Sequence, residues 1–274
     1  MDTFAPQETD RNSGILLTER RGPVSVLTLN RPSARNSLSL GLMAALQDAV
    51  AREGSAKEIA ALIIRGAPPA FCAGHDLREM QARRQDADRG RAFFVETMHG
   101  CSALMQAIIA CPKPVIAAVN GIATAAGCQL VASCDLAVAG ESAQFATPGV
   151  NIGLFCSTPM VALSRNVSRK TAMEMLLLGE MAPAAKAQEL GLVNRVVPDA
   201  DVLDAAIAIA EKIAAKSPLT LAIGKKAFYR QAEMPLAEAY EYTANVMVEN
   251  MLARDAEEGI GAFLEKRKPE WTAS

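Results

Sequence analysis

From Ile15 onward, short apolar runs alternate with longer stretches in which apolar residues recur every three or four positions. Residues 15–19 and 24–29 have the length and β-branched content of strands, with Arg21-Gly22-Pro23 as the turn between them. Asn30-Arg31-Pro32 ends the second run, because proline cannot serve a central ladder. Ser39 then suits the N-cap of a helix over 40–52. A strand is expected over 59–65, followed by a loop opened by Pro68-Pro69. The charged segment 78–91, with Gly90 inside it, is expected to be solvated and mobile. A long helix over 92–110 stops at Cys111-Pro112, and residues 114–119 form the most continuous apolar run. Short strands follow at 136–139 and 144–147.

Beyond Thr158 the helical period dominates: up to 178, then 182–189, 201–215, 219–231 and 236–254, with one strand at 193–197 among them. Strand and helix alternate early and helices fill the end, which predicts an α/β fold with a helical C-terminal region. The expected division is a mobile tail at 1–14, a core at 15–200 and the helical region at 201–274.

The stretch 114–135 reads P-V-I-A-A-V-N-G-I-A-T-A-A-G-C-Q-L-V-A-S-C-D. Its apolar run breaks at Asn120-Gly121, small residues fill 123–127, and 128–134 is apolar enough for a buried helix. The first N–H groups of a helix lack intrahelical partners and favour negative charge. Small side chains there admit a ligand to the backbone. The plain alternative is a strand-turn-helix packed with small residues for tightness. A second turn of the same kind, P-A-F-C-A-G-H-D-L at 69–77, follows the strand at 59–65. Two such turns are able to aim two N–H groups at one carbonyl oxygen.

These two stretches, together with N-R-P-S-A-R-N-S-L-S at 30–39, resemble the signatures of the enoyl-CoA hydratase/isomerase, or crotonase, superfamily. The similarity extends over nearly the whole chain from Ile15. Residues 145–268, with F-A-T-P-G-V-N-I-G-L-F-C-S-T-P and A-F-L-E-K-R-K-P, resemble most the branch called enoyl-CoA hydratase domain-containing protein 3. The resemblance implies a crotonase-like spiral of β-β-α units, assembly into homotrimers or hexamers, and an acyl-CoA thioester as substrate or ligand. It implies no separate cofactor. It places the two oxyanion-hole N–H groups on His75 and Ala126. It sets Ala34, Arg35, Ala73, Asp76, Leu77 and Arg78 along the acyl-CoA path, with phosphate contacts from Arg78, Lys225 or Lys226. For any single lysine, a solvated helix face is the plain alternative, and the imidazole of His75 is open to the same plainness.

The resemblance also exposes departures. Hydratases of this family use two glutamates, one to activate water and one to deliver a proton, each worth roughly a hundredfold to ten-thousandfold. Their positions are held here by Gln129 and Gly149, and a third acid/base position by Ser157. Glutamine has no useful proton affinity near pH 7 and glycine offers nothing. Two readings follow: a family enzyme with weak or altered activity, such as decarboxylation of a malonyl-type thioester, or a non-catalytic acyl-CoA-binding or scaffold protein. If a gap at Gly149 allows it, restoring both carboxylates should raise hydration.

Composition narrows the setting. The chain has 274 residues, half of them apolar, and a net charge of −2, so nothing draws it generally towards nucleic acid. Six cysteines without C-x-x-C spacing read as reduced, buried thiols. Two histidines, His75 and His99, give no metal-ligand spacing. Residues 1–14 hold Asp2, Glu8 and Asp10 and no apolar leader. With no apolar run judged long enough to span a membrane, the expectation is a cytoplasmic protein.

Overall fold

A computed structural model of the chain describes residues 14–274. The expectation for 1–14 therefore lies outside the described residues, apart from an exposed Gly14. The chain opens with strands β1 (Leu16–Arg21) and β2 (Val24–Leu29), helix α1 (Leu40–Ser55) and strand β3 (Ala61–Gly66). Helices α2 (Leu77–Arg83) and α3 (Arg91–Ala110) follow. Then come β4 (Val115–Val119), β5 (Ile122–Thr124), α4 (Ala126–Ser133), β6 (Leu136–Gly140) and β7 (Gln144–Ala146). The second half holds α5 (Pro159–Leu163), α6 (Arg169–Leu178), β8 (Ala182–Pro183), α7 (Ala184–Glu189), β9 (Arg195–Val197) and α8 (Val202–Ala214). It closes with α9 (Pro218–Gln231), α10 (Leu236–Leu252) and α11 (Arg254–Glu265).

The main sheet has the order β1-β2-β3-β4-β6-β9, with β1 antiparallel to β2 and every other pair parallel. A smaller sheet pairs β5 with β7 in parallel and β7 with β8 antiparallel. Both faces of the main sheet are covered, which explains the near-continuous apolar runs. Leu27, Leu29, Leu62, Ile64, Val115 and Ala117 pack towards α1, α3 and α4. Alternate residues of the same strands, Val26, Ala61, Ile63, Ile116 and Val138, pack against Val202, Ala206 and Ile209 of α8. Helix α8, which the sequence assigns to the C-terminal region, thus covers the second face of the sheet.

Two local expectations need correcting, and one strand escapes the sequence. Residues 77–83 of the charged segment form α2. Asp76 supplies the cap, its Oδ1 accepting from the Arg78 and Glu79 N–H groups at 3.1 and 3.3 Å. The helical pattern that ended at Arg254 resumes as α11 after extended backbone at Ala253 (ψ 145°). Strand β5 escapes a periodicity argument because it is three residues long. In addition, α3 is long and apolar enough for a membrane-crossing helix by length and composition, contrary to the expectation of none. Its Phe93, Cys101, Leu104 and Ile108 are buried within the protein.

The terminal helices are tied to the core by polar contacts. Lys225 Nζ donates to Asp135 Oδ2 at 2.7 Å and to the Ile108 and Lys113 carbonyls at 3.0 Å. Tyr229 Oη donates to Asp135 Oδ1 at 2.9 Å, and burial beside that carboxylate pushes the phenol's pKa up. Elsewhere these helices leave Phe228, Leu236, Tyr240, Leu252, Phe263 and Leu264 exposed by 62–81 %.

Candidate functional site

The site lies beyond the carboxyl ends of β3 and β4, where ligands bind in open parallel sheets. The loop after β3 and the turn after β4 are laced to each other. Phe71 and Cys72 both donate to the Ile122 carbonyl at 3.1 Å, and Thr124 donates to the Cys72 carbonyl at 3.0 Å. On the other side, Ala73 donates to the Arg35 carbonyl, Leu38 to Gly74 and Asp76 to Leu38, at 3.0, 2.7 and 3.1 Å. Segments 35–38, 72–76 and 122–124 therefore lie side by side, and the third leads into α4.

Close approach demands the small residues. Gly74 has φ 95°, and a Cβ placed there would sit 3.0 Å from Ala125 Cβ and 3.5 Å from Ala126 N. On Gly127 a Cβ would come within 2.8 Å of the Cys72 carbonyl carbon. Ala125, just before α4, is held at φ 50°, ψ −117°, a conformation that disfavours side chains and costs about 1–3 kcal/mol. The strained turn brings the amino end of α4 against the Gly74-His75 peptide. Among the described residues, neither the His75 nor the Ala126 N–H donates to any oxygen. Two backbone donors are thus left free at one place, one of them the first of a helix.

The His75 and Gln129 side chains beside them carry no charge. Both ring nitrogens of His75 are enclosed without a partner, and burial pushes its pKa down, so the imidazole is neutral at pH 7. Gln129, one turn into α4, is 4 % exposed, and its Oε1 accepts from Cys101 Sγ at 3.7 Å. Burial raises the Cys101 thiol to about 12.

The remaining expected residues divide. Ala34 and Ala73 are half-buried, and Arg35 (φ 50°) turns its carbonyl to Ala73 and leaves its side chain exposed. Leu77 and Arg78 are exposed on α2, along an open groove shared with Gln81, Ala82 and Gln85. Asp76 is placed beside the loop but is already engaged. Its Oδ1 caps α2 and its Oδ2 pairs with Arg31 at 2.8 Å. Lys225 is committed to Asp135, whereas Lys226 is exposed on α9, and among the described residues no hydrogen bond or ion pair brings its side chain to the loops. Ser157 is exposed, its Oγ donating to the Phe155 carbonyl at 3.3 Å. Gly149 is buried, and the space beside it is taken. A Cβ there would lie 2.7 Å from the Leu154 carbonyl oxygen and 2.9 Å from Cys156 Sγ. The sequence reading missed Arg31, Ala125 and Cys101. Arg31 acts 45 residues away on Asp76, and Cys101 meets Gln129 28 residues away, so neither leaves a local signal.

The sequence profile described as Enoyl-CoA hydratase/isomerase matches residues 19–274. The chain belongs to this family. Over 246 residues it is 46 % identical to human "Enoyl-CoA hydratase domain-containing protein 3, mitochondrial", covering 90 % of this chain and 80 % of that one. The rat protein of the same name is 44 % identical over 255 residues, with coverage of 93 % and 83 %. The crystal structure of an enoyl-CoA hydratase from Mycobacterium smegmatis superposes with a TM-score of 0.89 at 48 % identity, covering 94 % of this chain and 99 % of that one. The crotonase fold and the branch resemblance read from the sequence are both met. The cytoplasmic location is corrected: the human and rat relatives are named mitochondrial, which points away from the cytoplasm. Reduced cysteines and the composition of residues 1–14 describe a chemical environment, and several compartments share it.

Proposed function

We propose that this family member binds an acyl-CoA thioester with its carbonyl oxygen between the His75 and Ala126 N–H groups, and hydrates enoyl thioesters poorly. The free pair of amides on two interlocked turns carries the reading. Two fixed donors aimed at a developing oxyanion are worth roughly a hundredfold or more each in such chemistry. Ala34, Arg35, Leu77 and Arg78 flank the approach and suit the coenzyme end of the ligand.

The case against ordinary hydration rests on what surrounds those donors. Gln129 neither takes nor gives a proton near pH 7, Ser157 is exposed and unaided by a base, and the space at Gly149 is closed. The same closure favours the second reading, a binder without turnover. Calorimetric titration with acetyl-CoA and a longer acyl-CoA should show saturable binding that weakens with added salt. Absence of heat and of competition at millimolar ligand refutes the acyl-CoA assignment. A turnover screen over enoyl-, malonyl- and acyl-CoA thioesters separates enzyme from binder. The exposed apolar faces of α9–α11 further support a homo-oligomer, a trimer or a pair of trimers. Light scattering that returns a 29.0 kDa species at micromolar concentration refutes it.

A further inference from the structure

A second cavity lies at the opposite end of the main sheet from the two interlocked turns. It holds about 210 Å³ where the β1–β2 turn, the loops leading into β3 and β4, and the junction of α8 with α9 meet. It stands at the amino ends of β3 and β4, whereas the free amides of His75 and Ala126 stand beyond their carboxyl ends. Strand β4 has five residues, which sets the two places about 16 Å apart. Pro23, Pro112, Pro114 and Pro218 form part of the wall, and proline fixes its own backbone torsion, so the wall is stiff.

Lys57, Lys113 and Lys216 reach this cavity from three different segments. Among the described residues, the lysine ammonium groups that donate to an oxygen are those of Lys186 and Lys225, so the three in the cavity are unengaged. Glu58 is the one acid in the wall, and Arg20 already holds it at 2.6 Å. The helix ends add to the same sign. Helix α9 begins at Pro218, so its positive end lies here. Helix α8 ends at Ala214, but carbonyls at its end are occupied. Those of Glu211 and Ile213 accept from the Ala215 and Lys216 N–H groups, and that of Ala215 accepts from Trp271 Nε1 at 3.0 Å. The whole chain has a net charge of −2, so three free cations around one small cavity are a local concentration and not a sample of the composition.

We propose that this cavity binds a small polyanion, a phosphorylated compound or a polycarboxylate, and that it does so separately from the acyl-CoA site. Three neighbouring ammonium groups repel one another, and an anion with several charges set between them replaces that repulsion with attraction. Clefts for drug-sized ligands run to roughly 300–1,000 Å³, so this smaller space suits an ion of the size of diphosphate or citrate. Lysine presents a point charge on a flexible stem, which serves phosphate and carboxylate alike.

The test is calorimetric titration of the full chain with inorganic diphosphate and with citrate, at an ionic strength held constant with chloride. Both should bind saturably, and the better of them about tenfold tighter than orthophosphate or acetate. Tighter binding of diphosphate assigns the occupant to phosphorylated compounds, and tighter binding of citrate assigns it to carboxylates. Lys57→Met, Lys113→Met and Lys216→Met should each weaken binding about threefold to tenfold, and Lys113→Glu should abolish it. Lys170→Met, on the exposed side of α6, should leave it unchanged. The three cavity side chains hold no other group, so their variants should melt with the wild type. Saturating acetyl-CoA should leave diphosphate binding intact. Heats no larger than those of chloride, affinities that the cavity variants leave unchanged, or displacement by acetyl-CoA would each overturn the inference. None of these results bears on the acyl-CoA reading, which the titration with acetyl-CoA alone decides.

Discussion

Restoring glutamates at 129 and 149 together should fail to create a hydratase, and the structure says why the two positions differ. Gln129→Glu changes an amide to a carboxylate of the same shape. Its cost is chiefly that of placing a carboxyl in a buried site, which raises its pKa and is eased by the Cys101 donor. Gly149→Glu is another matter. Its first side-chain carbon would be 2.7 Å from the Leu154 carbonyl oxygen and 2.9 Å from Cys156 Sγ. The sulfur is the end of a side chain and is able to turn, but the carbonyl belongs to backbone fixed by the Leu154 N–H donating to the Gly149 carbonyl at 2.9 Å. Overpacking of this kind costs about 1–3 kcal/mol, and a carboxylate crowded against a carbonyl oxygen adds to it. For a chain of this size each kcal/mol lowers the melting temperature by about 2–4 °C, so the change should cost roughly 5–10 °C. The paired carboxylates would otherwise be worth roughly a hundredfold to ten-thousandfold each. The assay is loss of enoyl absorbance with crotonyl-CoA for wild type, both single variants and the double, beside a thermal melt of each. A double variant melting within about 2 °C of wild type and hydrating a hundredfold faster would refute the packing argument. Brisk hydration by the wild type would refute the site assignment, since it would require a proton carrier other than Gln129, Gly149 and Ser157.

Lys225→Met should cost about 1.5–3 kcal/mol by leaving the half-buried Asp135 with only the Val115 N–H and the Tyr229 hydroxyl as donors, whereas Lys226→Met on the exposed side of α9 should change stability by less than about 0.5 kcal/mol; chemical denaturation of both compares them directly. Burial alone would raise the Asp76 pKa, but hydrogen bonds from Arg31 and from the Glu79 and Arg78 amides outweigh it and hold the carboxyl below its usual value. Its stabilisation is therefore present above about pH 4 and is lost as pH falls through the depressed folded-state value, so Asp76→Asn should cost about 1–2 kcal/mol at pH 7 and progressively less in acid; a melting-temperature gap that stays constant from pH 7 to pH 3 refutes this.

The main sheet was legible because its strands are buried on both faces, so 24–29, 59–65 and 114–119 stand out as apolar runs whatever their neighbours. Helix α2 was not, since its existence depends on one aspartate cap and not on an apolar stripe. The two interlocked turns were legible for a related reason: each is a local motif in which backbone geometry dictates small residues, as at Gly74 and Gly127. What the sequence hides is partnership at a distance. Lys225 and Lys226 are adjacent and chemically identical, and only the packing of α9 makes one a buried strut and leaves the other in solvent. Asp76 belongs to the motif, yet Arg31 and the α2 amides consume both its oxygens.

Gly149 shows the same limit from the opposite side. As a letter, glycine reads as vacant space awaiting a side chain. In the fold, the chain turns back through Gly153 (φ 77°), so that the Leu154 carbonyl and the Cys156 thiol occupy the space where a side chain would begin. A missing side chain leaves a cavity only where its surroundings fail to relax, and this loop has closed. On the proposed reading, the two positions are therefore not equivalent. At 129 the glutamine has the length of a glutamate and keeps hydrogen-bonding capacity, so the space beside the two free amides has a polar wall. At 149 the backbone itself has filled the place.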